Sequence, residues 1–381
     1  MSDGNDVESR DHGEASTRST RREFLARASV LSLAIPGIGA ALEACSPESS
    51  SKKAEPAVQD SSLKTAPVGR GHHLNSDSKL DSALLRGRKH GNSSITPETP
   101  SGDAVFHRFD PALPPLSGDL KVHWRTQERK IRISDDTVVA AWTFEGDIPG
   151  PILHCRVGDT VEFTLTNDVD IPHSMDFHAA QIDPKVAFRS VPKGQSVTYK
   201  FKPKWAGAFA YHCGTAPVLM HIGSGMYGAI IVSPREPLPK AKEFVLVQSE
   251  FYLAEAAGGV HAFDYQRMLG TIPDLVCFNG RPNQYATSPI KVKVGDRVRF
   301  WVVDVGPTHA CNFHIVGEQF DTVYLGAPPG SPVHGVQTWA VPPGGGLCYE
   351  LVCDVPGEFP FVNHGFGHGQ KGAIGFLTVE P

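Results

Sequence analysis

From about Leu116 onward apolar and polar residues alternate along most of the chain, with the period of a strand rather than of a helix. Val122-His123-Trp124 and Lys130-Ile131-Arg132-Ile133 are short examples. Thr160-Val161-Glu162-Phe163-Thr164-Leu165-Thr166 and Ser196-Val197-Thr198-Tyr199-Lys200-Phe201 are longer ones. Val138-Val139-Ala140-Ala141-Trp142-Thr143-Phe144 lacks the alternation and predicts a more deeply buried strand, closed by a Gly/Pro turn at 146–151. Turn residues punctuate the whole region, helical periodicity is scarce, and 38 glycines and 31 prolines fit a turn-rich all-β protein.

The pattern then comes round again, which predicts two copies of one β-sandwich. Val157-Gly158-Asp159 recurs as Val294-Gly295-Asp296, and His173 with His178 as His309 with His314. Val191-Pro192 recurs as Val341-Pro342, Gly207-Ala208-Phe209 as Gly357-Glu358-Phe359, and Gly228-Ala229-Ile230 as Gly372-Ala373-Ile374. The Pro-rich stretch at 234–239 places the boundary near 240, giving domains at 105–240 and 241–381.

The first 104 residues have another texture. Thr20-Arg21-Arg22-Glu23-Phe24-Leu25 followed by an apolar run at 28–42 resembles a twin-arginine export signal, and the run is too short to span a bilayer comfortably. Leu42-Glu43-Ala44-Cys45 looks like a lipoprotein cleavage box with Cys45 as the lipidated residue; simple cleavage nearby is the other reading. Residues 46–104 are rich in Ser, Lys, Pro, Asp and Gly without an apolar period, and predict a disordered tether. These segments predict an exported protein, periplasmic or held by lipid at the outer face of the cytoplasmic membrane. A net charge of -5 is too mild to name a partner, and no basic cluster with interleaved aromatics points to nucleic acid, so no nucleic-acid partner is expected. Seven cysteines do not suit a disulfide framework, and Cys155, Cys277, Cys311, Cys348 and Cys353 read as buried thiols.

The chemistry concentrates in one stretch. Cys213 is followed by His221 and Met226 on a short loop, a thiolate, an imidazole and a thioether suited to a blue-copper centre that needs one more histidine. His173 in Ile171-Pro172-His173-Ser174-Met175-Asp176-Phe177-His178 supplies it. His212 points away from Cys213 if the segment leaves a strand, and is free to join His178 at a second metal. Two imidazoles are too few for a tight site, and His364 is the best candidate for a third. The second copy has Asn363 where the first has Cys213, so it cannot repeat the blue-copper site.

Over roughly residues 120–381 the chain resembles the copper nitrite reductases, the two-domain cupredoxin branch of the multicopper oxidases. The resemblance rests on Pro172-His173-Ser174-Met175-Asp176-Phe177-His178, Tyr211-His212-Cys213, His221 with Met226, Phe313-His314-Ile315-Val316, Gln337-Thr338-Trp339 and Val362-Asn363-His364. It implies two tandem cupredoxin-like Greek-key sandwiches in a homotrimer, with one type 1 and one type 2 copper per chain. Type 1 copper is then held by His173, Cys213, His221 and Met226, and type 2 copper by His178 and His212 of one subunit with His364 of the next. Asp176 and His314 match the family's proton-relaying pair, Thr338 the hydrogen-bond partner of that histidine, and Val316 the residue shaping the substrate pocket. The implied reaction is reduction of nitrite to nitric oxide, with electrons from a small cupredoxin or cytochrome c passing through Cys213–His212. The loop from Cys213 to His221 is one residue shorter than in well-known members, and Gly214-Thr215 replaces their usual pair. Three alternatives stand beside this reading: a laccase-like oxidase, a homologue using another small oxidant, and a non-catalytic type 1 electron carrier. None of the 17 histidines forms the His-X-His pairs that a laccase cluster needs. His309 and His368 have no assigned role.

Overall fold

The computed structural model describes residues 104–381, so the export signal, Cys45 and the tether up to 103 lie outside the described residues. Eight strands make the first half: β1 (Leu120–Arg132), β2 (Val138–Phe144), β3 (Leu153–Arg156), β4 (Val161–Asn167), β5 (Asp176–Phe177), β6 (Ser196–Phe201), β7 (Gly207–His212) and β8 (Tyr227–Ser233). They form two sheets in the orders β2-β1-β4-β6 and β3-β8-β7-β5. Eleven more follow: β9 (Lys242–Phe251), β10 (Leu275–Phe278), β11 (Ser288–Lys293), β12 (Arg297–Gly306), β13 (Cys311–Ile315), β14 (Phe320–Tyr324), β15 (Pro332–Val336), β16 (Thr338–Val341), β17 (Gly345–Val352), β18 (Gly357–Asn363) and β19 (Ile374–Glu380). Their sheets are β10-β9-β12-β17-β14-β15 and β11-β19-β18-β13-β16. The β1-β4-β6 order with its parallel β1–β4 pair reappears as β9-β12-β17 with a parallel β9–β12 pair. Likewise β3-β8-β7-β5 reappears as β11-β19-β18-β13. This is the predicted all-β pair of sandwiches.

Alternation holds where one face meets water: β6 reads exposed, buried, exposed, buried along its length. It fails in β9 and β12 because their sheet has a core on each side. Val245, Val247, Phe251, Trp301, Val303 and Val305 pack into the first sandwich's core. Leu246, Val298, Phe300 and Val302 pack into the second. Successive side chains point to opposite faces, so one sheet closes its own sandwich and covers its neighbour. Cys348 and Cys353 follow the same rule, one in each core. All six described cysteines are buried and unbridged. At the seam the backbones nearly touch: a Cβ on Gly346 of β17 would lie 2.1 Å from the Ala208 carbonyl oxygen of β7.

Strand register corrects the repeat in two places. β5 pairs with β7 so that Asp176 faces His212, and β13 pairs with β18 so that His314 faces Val362. His173 bridges Val191, whereas Cys311 faces Val341. In register, therefore, His314 stands at the place of Asp176 and Cys311 at that of His173; the equal spacing within the two histidine pairs is coincidental. Gly228-Ala229-Ile230 is also shifted. Gly228 and Gly375 are the true equivalents: a Cβ on either would run into the ring at the matched positions Tyr211 and Phe361, 2.4 Å and 2.3 Å from the Cζ atom. Gly372 then matches Gly225, and Ala373 stands where the first copy has Met226.

Candidate metal centre

β7 delivers Tyr211 and His212 to the edge of the first sandwich, and the chain leaves the strand at Cys213. Helix α1 (Pro184–Ala187) lies in the crossover between β5 and β6, and α2 (Val218–Gly223) carries His221 back over Cys213. Met226 is tied to both ends of this loop: its N–H donates to the His221 carbonyl at 3.2 Å, and its carbonyl accepts from the Cys213 N–H at 3.0 Å. His173 enters from the segment before β5. The His221 and His173 Nδ1 atoms lie 3.1 Å apart, and Cys213 Sγ lies 3.3 Å from the first and 3.9 Å from the second. Cys213, His173 and Met226 are fully buried and His221 nearly so. Trp142, from the buried run of β2, packs its ring against both imidazoles, at 5.5 Å from His173 and 5.1 Å from His221.

Burial fixes the electrostatics of this group. It pushes His173 down to about 3, helped by the neighbouring His221, and His221 down to about 4. Burial also raises the Cys213 thiol, against the hydrogen bonds it receives from Ser174 and Thr215. The Ser174 N–H donates to Cys213 Sγ at 3.3 Å. Two neutral imidazoles with nitrogens facing one another and a sulfur, all inside 4 Å and walled from water, make a soft donor set for one cation. The residues fit copper.

The second group lies one residue away. His178 Nε2 and His212 Nε2 are 2.9 Å apart, and Asp176 brings a carboxylate oxygen into the same cluster. Each ring's other nitrogen donates to a backbone carbonyl: His178 Nδ1 to Gly344 at 2.8 Å, His212 Nδ1 to Cys213 at 3.0 Å. With Nδ1 carrying the proton, both Nε2 atoms present lone pairs to the same point, an arrangement that suits a bound cation and repels without one. Burial lowers His212, and His178 beside it adds to the effect.

His314 and His364 form a separate pair, ring centroids 5.1 Å apart, with the Phe366 ring 4.7 Å from His364. His314 Nδ1 donates to the Gln337 carbonyl at 2.5 Å, and Thr338 faces His314 across the β13–β16 ladder. The chain itself does not bring these two histidines into the cluster of Asp176, His178 and His212. His364 is exposed, as are Val316, Trp339 and Phe366 around the pair. His309 and His368 belong to neither cluster; their rings are tilted with centroids 4.7 Å apart, and His309 Nε2 donates to the Thr271 carbonyl at 2.8 Å. Gly344 carries no signal in the residue order, since only its backbone carbonyl takes part; Gln337 stands in a quoted motif, but its carbonyl's bond to His314 was not legible there. Trp142 was visible solely as a large member of a buried run.

Residues 125–237 match the multicopper oxidase family. Over 297 residues, 74% of this chain and 75% of the relative, the chain is 38% identical to the copper-containing nitrite reductase of Neisseria gonorrhoeae. It is 31% identical to that of Cereibacter sphaeroides, covering 67% of this chain and 75% of the relative. Among solved structures, the copper nitrite reductase of Nitrosomonas europaea superposes with a TM-score of 0.64 at 35% identity, covering 68% of this chain and 94% of that one.

Proposed function

Because the chain belongs to the copper-containing nitrite reductases, and so is a copper-dependent oxidoreductase, we propose how its own residues divide the work of turning nitrite into nitric oxide. The balance is one nitrite, one electron and two protons to one nitric oxide and one water. Copper supplies the one-electron chemistry when bound. His173, Cys213, His221 and Met226 are the set for the type 1 centre, where the electron enters. His178 and His212, with His364 of a second copy, are the set for the type 2 centre, where nitrite binds. One peptide bond and the His212 Nδ1 hydrogen bond to the Cys213 carbonyl join the two sets.

Asp176 sits beside His178 and His212 and can pass a proton to a bound anion. His314 offers Nε2 once Nδ1 is committed to Gln337. The two stand at matched register positions in the two sandwiches and reach one anion only if chains meet at their edges. The observation that carries this reading is the division of the donors: Asp176, His178 and His212 cluster in one sandwich, and exposed His364 pairs with His314 in the other. A closed ring of chains joins each half to its complement, and a homotrimer is the assembly we propose. On sequence grounds we place the enzyme outside the cytoplasm, anchored at Cys45, with domains at 105–240 and 241–381 and a small cupredoxin or cytochrome c as donor.

Mixed assemblies test the division. A chain carrying His178→Ala and His212→Ala and a chain carrying His364→Ala should each lack type 2 copper and nitrite turnover. Reassembled in equal amounts, they should regain about a quarter of the wild-type sites, the share in which each seam joins the intact half of either chain. If the mixture stays as inactive as its parents while forming trimers, the ligands do not come from different chains.

A further inference from the structure

We propose that Asn363 is a positioning residue that holds His364 ready for the type 2 site, a role that rests on reading His364 as the ligand supplied to a second copy. In register Asn363 occupies the place of Cys213: its N–H donates to the Ala373 carbonyl at 3.0 Å, as that of Cys213 donates to Met226 at 3.0 Å. Its Nδ2 lies 3.3 Å from His368 Nδ1, the distance between Cys213 Sγ and His221 Nδ1. The second copy has thus lost the histidine, cysteine and methionine of the blue-copper loop to Cys311, Asn363 and Ala373, keeping only His368.

The amide has a different task. Asn363 is fully buried. Its Oδ1 accepts from the N–H of Asn312 at 3.3 Å and of Gly365 at 3.0 Å. Its Nδ2 donates to Gln248 Oε1 at 2.8 Å and to the Ala310 carbonyl at 3.1 Å. Backbone groups on both sides of the amide fix which atom is oxygen and which is nitrogen. The two accepted bonds bracket His364, whose own N–H donates to the Asn312 carbonyl at 2.7 Å. The exposed His364 imidazole meets the His314 and Phe366 rings, and the backbone that carries it sets where it stands against them. Holding that backbone in the absence of a partner removes an ordering cost from copper binding. The side chain that a thiolate would have used on copper is spent on a neighbouring residue's geometry.

The test titrates copper into type 2-depleted protein, reading type 2 occupancy by electron paramagnetic resonance and the blue absorption as an internal check of fold. Asn363→Ala should weaken type 2 binding by about 10- to 100-fold, the scale of a lost outer partner of a ligand, with the blue centre intact. Asn363→Asp, held protonated by burial, keeps the oxygen that accepts from Asn312 and Gly365 and offers an O–H to Gln248 Oε1, and should bind closer to the wild type than to Asn363→Ala. His364→Ala is the reference and should lose type 2 copper outright. If His364→Ala keeps type 2 copper, the ligand assignment fails and the clamp with it. If His364→Ala loses it while Asn363→Ala binds as the wild type does, the clamp alone is overturned. Should Asn363→Ala fail to colour, Asn363→Asp decides: type 2 copper retained supports the clamp, and type 2 copper lost beneath an intact blue band overturns it.

Discussion

Acidifying the copper-free protein probes the buried imidazole pair. Burial holds His173 at about 3 and His221 at about 4, whereas an unfolded histidine titrates near 6.5. Below that value the unfolded chain takes up protons that the folded chain refuses. The stability these groups leave intact is therefore fully present above about pH 6.5 and drains away as pH falls toward the folded values. At about 1.36 kcal/mol per unit, each imidazole costs roughly 2 kcal/mol between pH 6.5 and pH 5. The pair costs about 4 kcal/mol, a large part of the ~5–15 kcal/mol that holds a domain folded. Urea denaturation of copper-free wild type and of His173→Leu across this interval isolates one member, because other buried histidines contribute equally to both. The His173→Leu stability curve should fall by about 2 kcal/mol less than the wild type's. Parallel curves would refute the claim that the fold keeps His173 neutral.

Two further outcomes follow from the divided donor sets. Cys213→Ala should bleach the visible absorption of the loaded enzyme and leave type 2 copper in place, checked by resonance spectra and copper content; loss of both coppers would mean that the two groups do not bind independently. Asp176→Asn and His314→Ala should each cut nitrite turnover by about 10²- to 10⁴-fold, the scale of a lost acid or base, with both coppers retained. Unchanged turnover in Asp176→Asn would remove that carboxylate from the proton path.

Much of this was legible from residue order alone. Cys213, His221 and Met226 share one loop, so their joint service depends on local geometry that spacing determines. Strands such as β6 announce themselves because one face meets water and the other does not. The doubling of the sandwich was legible too, since turn motifs recur with it. Register was not. His309 and His314 repeat the spacing of His173 and His178, yet the ladder sets His314 against Asp176. Pairing is decided by hydrogen bonds between strands far apart in the chain, and a two-residue slip keeps the same faces and leaves the pattern unchanged.

What the order of residues determined by itself was the chemistry on offer: which side chains are soft donors, which carboxylate and imidazole can carry protons, and which copy lacks a thiolate. Tertiary structure decided who meets whom. Gly344 and Gln337 orient imidazoles through carbonyls that any residue possesses. His178 joins His212, and His314 joins His364, because the matched strand pairs β5–β7 and β13–β18 of the two sandwiches bring them together. Local composition cannot encode those meetings: each is settled by the packing of sheets whose members are brought together only when the whole chain has closed around its two cores.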